Sequence, residues 1–314
     1  MYDILRSDVL APRVTRYVVR APEVARARQA GQFVIVRPRS DSERIPLTIA
    51  DADTAAGTIT LVVQEVGKTT AVIADMQAGE ALADVCGPLG RPTHIEKRGT
   101  VVVVGGGIGI APAHPIAQAL HAAGNTVISI LGGRTREFVI MEDEMRLASN
   151  HVIVMTDDGS YGRKGFVTHA LQEIIDSGEK VDEVVAIGPA IMMKRVSELT
   201  RPYGIPTLVS LNTIMIDGTG MCGGCRVSVG GKTRFVCVDG PEFDGHEVDF
   251  DLMMRRQAMY VEQERRAHEE YLRAHRCHLQ GSLDALATTS GTGSAAGSAA
   301  PPGPTRASDP GGEA

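Results

Sequence analysis

Thr100–Pro112 reads TVVVVGGGIGIAP: four valines run into a glycine turn, and the turn runs into a segment of helical composition. A continuous β-branched run suits a strand buried on both faces, and such strands belong to parallel sheets covered by helices. The chain downstream keeps alternating. APAHPIAQALHAAG (111–124) is helical, TVISILGG (126–133) is extended, and EFVIMEDEMRLAS (137–149) starts a helix. HVIVMTDDG (151–159), THALQEIIDSG (168–178), DEVVAIGP (182–189) and AIMMKRVSELTRPYG (190–204) continue the series. Strand and helix taking turns predicts βαβ units and an α/β parallel-sheet domain over 98–210.

Upstream the style differs. RYVVRAP (16–22), GQFVIVRP (31–38), RIPLTIAD (44–51) and GTITLVVQEVG (57–67) are short apolar runs between turn residues, which predicts a β-barrel or sandwich over 1–97. Downstream, a cysteine-bearing segment occupies 211–250, a charged and helical run 251–280, and a Gly, Ser, Ala and Pro-rich tail 281–314. The tail has too few large apolar residues to offset ordering entropy and reads as disordered. The chain has 314 residues, 43% hydrophobic with no Trp, so its cores rest on Val, Ile, Leu, Ala and Met. A net charge of -6 argues against a nucleic-acid or anionic-membrane partner. No uninterrupted apolar run is long enough for a membrane span, and the N-terminus lacks signal-peptide regions, so a cytoplasmic location is expected.

The glycine turn carries chemistry of its own. A pyrophosphate must approach backbone N–H groups at the positive end of a helix, and side chains at Gly105, Gly106, Gly107 and Gly109 would obstruct it. Ala111 and Pro112 open the helix; Pro112 suits the first turn, where its missing N–H is not needed. Ile110 stands where a G-x-G-x-x-G fingerprint has its third glycine, and the following strand ends in Arg134 and Thr135 rather than an acidic residue. The nucleotide must be held differently. Arg134 suits a ribose hydroxyl or a 2′-phosphate, so NAD and NADP are not separated. A tight turn without a ligand is the plain alternative.

Within RIPLTIA, Arg44, Pro46 and Thr48 share one face of a strand. Arg44 suits a phosphate and the Thr48 hydroxyl a ring nitrogen, although an exposed strand face explains the pattern equally well. In IDGTGMCGGCRVSV (216–229) and FVCVDG (235–240), Cys222, Cys225 and Cys237 are close enough to grip one metal centre. They fit a structural zinc site or simple burial.

The order RIPLT, VGKTT, CGPLG and the glycine turn resembles the ferredoxin-NADP reductase superfamily over residues 1 to 250. The resemblance implies FAD on the barrel, with Arg44 at its pyrophosphate, Thr48 near flavin N5 in the catalytic position, and Pro46 or Leu47 where relatives stack an aromatic ring. Gly67, Lys68, Thr69 and Thr70 match the second flavin-phosphate segment. TDDGSYGRKG with Asp157, and AIGPAIMM with Gly188 and Pro189, match the domain that takes NAD(P)H. Gly188 replaces a cysteine common in relatives. The cysteine spacing resembles the electron-transfer subunit of dihydroorotate dehydrogenase, which has a further cysteine before the first of the C-x2-C pair with four residues between them. Here that position is Asp217. Asp217 with three cysteines, followed by VDGPEFDGHEVDF, most resembles the small subunit of NADH-dependent ferredoxin:NADP oxidoreductases, also called sulfide dehydrogenase. The implied centre is a 2Fe-2S cluster on Asp217, Cys222, Cys225 and Cys237. The implied partner is a larger flavin and 4Fe-4S subunit that handles ferredoxin and the other nicotinamide. Rival readings are a dihydroorotate dehydrogenase subunit, a self-sufficient NAD(P)H reductase, and a zinc-stapled regulatory module. Cys86 stands apart from the cluster spacing, Cys277 reads as a free thiol, and the histidines form no metal set.

Overall fold

The computed structural model describes residues 1–274, so Cys277 and the 281–314 tail lie outside the described residues. Residues 1–268 form one compact unit. The first seven strands are β1 (Tyr2–Ala11), β2 (Val14–Arg20), β3 (Phe33–Arg37), β4 (Ile45–Asp53), β5 (Thr58–Gln64), β6 (Ala81–Leu82) and β7 (Asp84–Leu89). Helices α1 (Pro22–Ala27) and α2 (Lys68–Ala74) interrupt them. The strands pair in the order β6-β1-β2-β5-β4-β3-β7, antiparallel throughout. The two ends of that order, β6 and β7, are separated in the chain by Ala83 alone, so the sheet curls into a near-closed barrel. Val34, Val36, Ile49, Ile59 and Leu61 fill its interior.

The second sheet follows the expected alternation. Its strands are β8 (Thr100–Gly106), β9 (Thr126–Gly133), β10 (His151–Thr156), β11 (Arg163–Lys164), β12 (Glu183–Ile187) and β13 (Thr207–Ser210). The helices between them are α3 (Ile110–Ala122), α4 (Glu142–Leu147), α5 (Val167–Asp176) and α6 (Ala190–Thr200). The order β11-β10-β9-β8-β12-β13 is parallel, and Val101 to Val104 of β8 are completely buried, as a continuous valine run requires. Helix α3 starts at Ile110, one residue before the expected Ala111, because a single 3-10 turn over Gly107–Gly109 tightens the entry.

The cysteine segment contains the hairpin β14 (Arg226–Val229) and β15 (Lys232–Phe235), then α7 (Val236–Asp239) and β16 (Glu242–Asp244). Strand β16 returns to the second sheet and pairs antiparallel with β13. The segment is therefore an excursion from that sheet rather than a body packed beside it. Helix α8 (Phe250–Gln257) starts behind an Asp249 cap that accepts from Leu252 N, and residues 261–274 continue helical. The charged run is fastened at Arg256, Gln257 and His268. Arg256 donates to Gly224 O at 3.4 Å, Gln257 donates to Asn212 O at 2.7 Å, and the His268 ring lies 3.5 Å from Glu65 on the barrel.

Candidate flavin, nucleotide and iron-sulfur site

Strand pairing sorts the β4 residues by face. Leu47 pairs with the fully buried Val34 and packs into the barrel core, which leaves Pro46 and Thr48 on the outer face. Their register partners are Ile35 and Phe33, and both belong to a second core shared with the parallel sheet and with Cys225 and Cys237. Directly paired residues in an antiparallel sheet present their side chains on one face. Pro46, Thr48, Phe33 and Ile35 thus form one patch on the outside of the barrel. Arg44 precedes β4, exposed and without an ion-pair partner among the described residues.

Two contacts bring the rest of the chain to this patch. On one side α3 lies over β4, where buried His114 meets Ala50 O through Nδ1 at 3.1 Å, two residues beyond Thr48. The helix opened by the glycine turn is thereby tied to the candidate flavin strand. On the other side the Asp217 loop lies on β3 and β7. A Cβ at Gly218 would come within 2.7 Å of Ile35 Cγ1 and 2.8 Å of Leu89 Cδ1. Cys86, set apart in the sequence reading, is the register partner of Ile35 on β7 and is exposed beside this loop. Only register could reveal that.

In VGKTT the groups divide. Thr69 is buried, and the Thr70 hydroxyl caps α2, accepting from Val66 N and Gly67 N at 2.9 Å each and donating to Gly67 O. Lys68 is exposed without an ion-pair partner among the described residues, and the Cβ direction of Gly67 is open. The free side chain of this segment is therefore Lys68, beside the open space at Gly67.

Gly105, Gly106, Arg134, Asp157, Gly188 and Pro189 all gather at the carboxyl edge of the parallel sheet, at the ends of β8, β9, β10 and β12. The order reverses between β8 and β12, and open α/β sheets bind ligands at that point. The turn glycines have separate reasons. Gly107 has a left-handed φ of +56° and open space beyond its Cα, as close approach to a ligand requires. A Cβ at Gly109 would lie 2.3 Å from Ile187 O, so that glycine is needed for packing against β12, not to clear a path for pyrophosphate. Arg136, which the sequence reading passed over, stacks 5.1 Å from the Tyr161 ring beside this edge.

The four candidate metal donors meet in pairs. Cys225 and Cys237 are buried with Sγ atoms 3.2 Å apart, and Cys222 Sγ lies 3.5 Å from Asp217 Oδ1. Among the described residues no group of three or more His, Cys, Asp or Glu side chains converges as one metal ion would need. Two pairs suit a two-iron cluster, in which each iron takes two protein ligands. Burial, reinforced by its bond with Cys225, pushes the Cys237 thiol up to about 12. A buried thiol pair of this kind ionises when a metal supplies the compensating positive charge. Partial burial works to raise the Asp217 carboxyl, but bonds from Thr219 N, Met221 N, Cys222 N and the Cys222 thiol outweigh it and hold the group below the usual carboxylate range. The aspartate therefore caps its own loop, and a carboxylate has enough lone pairs to cap and to ligate.

Glu242 was not singled out from the sequence. It lies on β16, where its carboxylate accepts from Thr93 Oγ1 at 2.6 Å in the barrel-to-sheet linker. Burial pushes it up to about 7, against the Thr93 bond and with help from Glu183. No sequence signal marks it; the group exists only because β16 folds back under the linker.

The comparisons with known proteins agree with this architecture. Residues 212–249 match the iron-sulfur cluster binding domain of dihydroorotate dehydrogenase B, and residues 103–198 match the oxidoreductase NAD-binding domain. A Thermotoga maritima homologue of the electron transfer subunit of dihydroorotate dehydrogenase B (NAD(+)) is 46% identical over 271 residues, 86% of this chain and 95% of the relative. The electron transfer subunit of Geobacillus thermodenitrificans is 33% identical over 254 residues, 78% and 96% of the two chains. A chain in the solved NADH-dependent reduced ferredoxin-NADP oxidoreductase superposes with a TM-score of 0.82 at 45% identity, covering 87% of this chain and 98% of that one. Phthalate dioxygenase reductase, at 19% identity and a TM-score of 0.52 over 73% and 85%, shares the fold. With an iron-sulfur binding segment set into an NAD-binding sheet beside the barrel, the chain belongs to the family of dihydroorotate dehydrogenase B electron-transfer subunits and their homologues, and is an electron-transfer subunit of an oxidoreductase.

Proposed function

We propose that this chain serves a ferredoxin:NAD(P) oxidoreductase, moving electrons between NAD(P)H, FAD and a 2Fe-2S cluster and exchanging them with a larger flavin and 4Fe-4S subunit. The observation that carries the reading is the outer patch of β3 and β4: Pro46 and Thr48 stand beside Ile35, α3 lies on one side, and the Asp217 loop on the other. Arg44 and Lys68 are the free cations for the FAD diphosphate, and the Thr48 hydroxyl donates toward a flavin ring nitrogen. Gly107 admits the nucleotide pyrophosphate, with Gly105, Gly106 and Gly109 packing the turn, while Arg134, Asp157, Gly188 and Pro189 line its remaining length. Asp217, Cys222, Cys225 and Cys237 hold the cluster. FAD, held by Arg44, Lys68 and Thr48, would supply hydride acceptance from the nicotinamide and single-electron exchange with the iron centre. Phe33, Ile35 and Leu89 keep water from the space between barrel and cluster loop. In this reading the excursion 211–250 and the barrel 1–97 act as carriers around the 98–210 sheet, in the cytoplasm, with ferredoxin met through the partner.

The ferredoxin-linked reading is supported by Asp217 and by the 0.82 TM-score likeness to the ferredoxin-NADP oxidoreductase chain. The dihydroorotate-linked reading has the name of the 46% identical Thermotoga relative in its favour. Anaerobic purification with the co-purifying partner, followed by titration with NADH, NADPH, reduced ferredoxin and dihydroorotate, separates them. Expected are flavin bleaching and a cluster paramagnetic signal with a reduced nicotinamide, ferredoxin turnover that needs the partner, and no response to dihydroorotate. Reduction by dihydroorotate overturns the ferredoxin reading, and a colourless protein with tightly bound zinc overturns both.

A further inference from the structure

The nucleotide crevice contains a side chain that the glycine turn alone does not explain. Gly106 ends β8 and Gly188 follows β12, so the two glycines face each other where the sheet order reverses. A Cβ at Gly106 would lie 2.4 Å from Met192 Sδ, and one at Gly188 would lie 2.9 Å from Met192 Cε. The space that side chains at both positions would take is filled by one half-buried thioether. Met192 is held there by its own helix. Its N–H donates to Pro189 O at 2.9 Å, and the next residue of α6, Met193, is completely buried.

We propose that the Met192 thioether is the floor on which the nicotinamide ring is seated, at the facing ends of β8 and β12 where Gly106 and Gly188 leave it uncovered. The proposal rests on the glycine turn being the nucleotide site. A polarizable sulfur makes favourable contact with an aromatic ring and carries no charge. It therefore suits a ring that is cationic when oxidised and neutral when reduced. Met192 forms no bond in the exchange: the hydride, one proton with two electrons, leaves C4 of the reduced ring for the flavin. Its part is to fix where that ring lies, which makes it a positioning residue.

The test uses the purified complex and two nucleotides, NADH and ADP-ribose, the second lacking only the nicotinamide ring. Met192→Ala should weaken NADH binding and raise its KM by roughly two- to tenfold, the worth of a sulfur-ring contact, with a smaller change in kcat. ADP-ribose should bind as it does to the wild type, and flavin and cluster spectra should be unchanged. Should Met192→Ala fold poorly, Met192→Leu makes the same test, because it keeps the volume and removes the sulfur. The proposal is overturned if NADH affinity is unchanged in both variants, or if ADP-ribose affinity falls as far as NADH affinity. A wild-type complex that binds neither nucleotide overturns instead the nucleotide reading on which it rests.

Discussion

Cys225 and Cys237 are supplied by the fold, whereas Asp217 and Cys222 are supplied by a loop. The first pair lies in the same core as Phe33, Val184 and Val209, whose neighbours come from both sheets, the hairpin and the covering helices. The second pair is exposed to different degrees and ordered by hydrogen bonds within 217–222. One half of the candidate centre is thus anchored by the stability of the whole domain and the other by local geometry. The two halves should respond differently to the same kind of change.

The largest effect is expected on the anchored side. Cys237→Ala removes a thiolate from a dry pocket and leaves Cys225 without its partner, so iron retention should fall by more than roughly 100-fold, beyond the range of outer-shell changes. Iron and sulfide assays on anaerobically purified protein measure it. On the loop side, Asp217→Ala should cost roughly tenfold, since water can reach the vacated position. Asp217→Cys should keep the cluster while moving its potential, because ligand type and charge set that potential. Paramagnetic resonance during a redox titration reads both, and wild-type signal and potential in both variants would remove Asp217 from the ligand set.

The contrast between anchored and free positions extends to the nucleotide turn. Gly109→Ala drives a Cβ into Ile187 O and should lower thermal stability, whereas Gly107→Ala meets no atom and carries only the left-handed strain of about 1–2 kcal/mol. Its main cost should appear in KM for the nicotinamide. Melting curves and kinetics on the two variants side by side settle the order.

The smallest expected effect tests the junction under β16. The folded pKa of Glu242, about 7, exceeds its ordinary value of 4.5, so the buried group favours the protonated state. Its stabilising contribution is complete below about pH 4.5 and is lost as pH rises through 7. Glu242→Gln has no proton to lose. Relative to wild type it should gain stability in urea unfolding as pH rises from 5 to 8, and a difference independent of pH would contradict the burial.

How much was legible beforehand follows the same division. The valine run and the strand-helix alternation specified the parallel sheet, because a period is a local property. Cysteine spacing singled out three candidate donors, and the resemblance proposed Asp217 as the fourth. What spacing could not supply was register. Leu47 and Pro46 are adjacent in sequence, yet pairing with Val34 and Ile35 sends one into the barrel and the other outward. Thr70 has the composition of a phosphate-binding residue and is engaged in a helix cap. The return of β16 to the sheet, and with it the Glu242 site, depends on a long-range pairing of three residues that no local pattern announces.

That return has a consequence for assembly. Ser210 and Glu242 are direct partners across β13 and β16, so the ends of the excursion carrying all four candidate donors are clamped together by the sheet. Closing a loop of this length is normally an entropic cost that falls on whatever ligand draws its ends together. Here the strand pairing meets it, and the incoming iron and sulfide need only order the Asp217–Cys222 turn over a pair of thiols already side by side. Loss of the cluster and its reinsertion then become local events at the rim of a sheet that stays folded throughout.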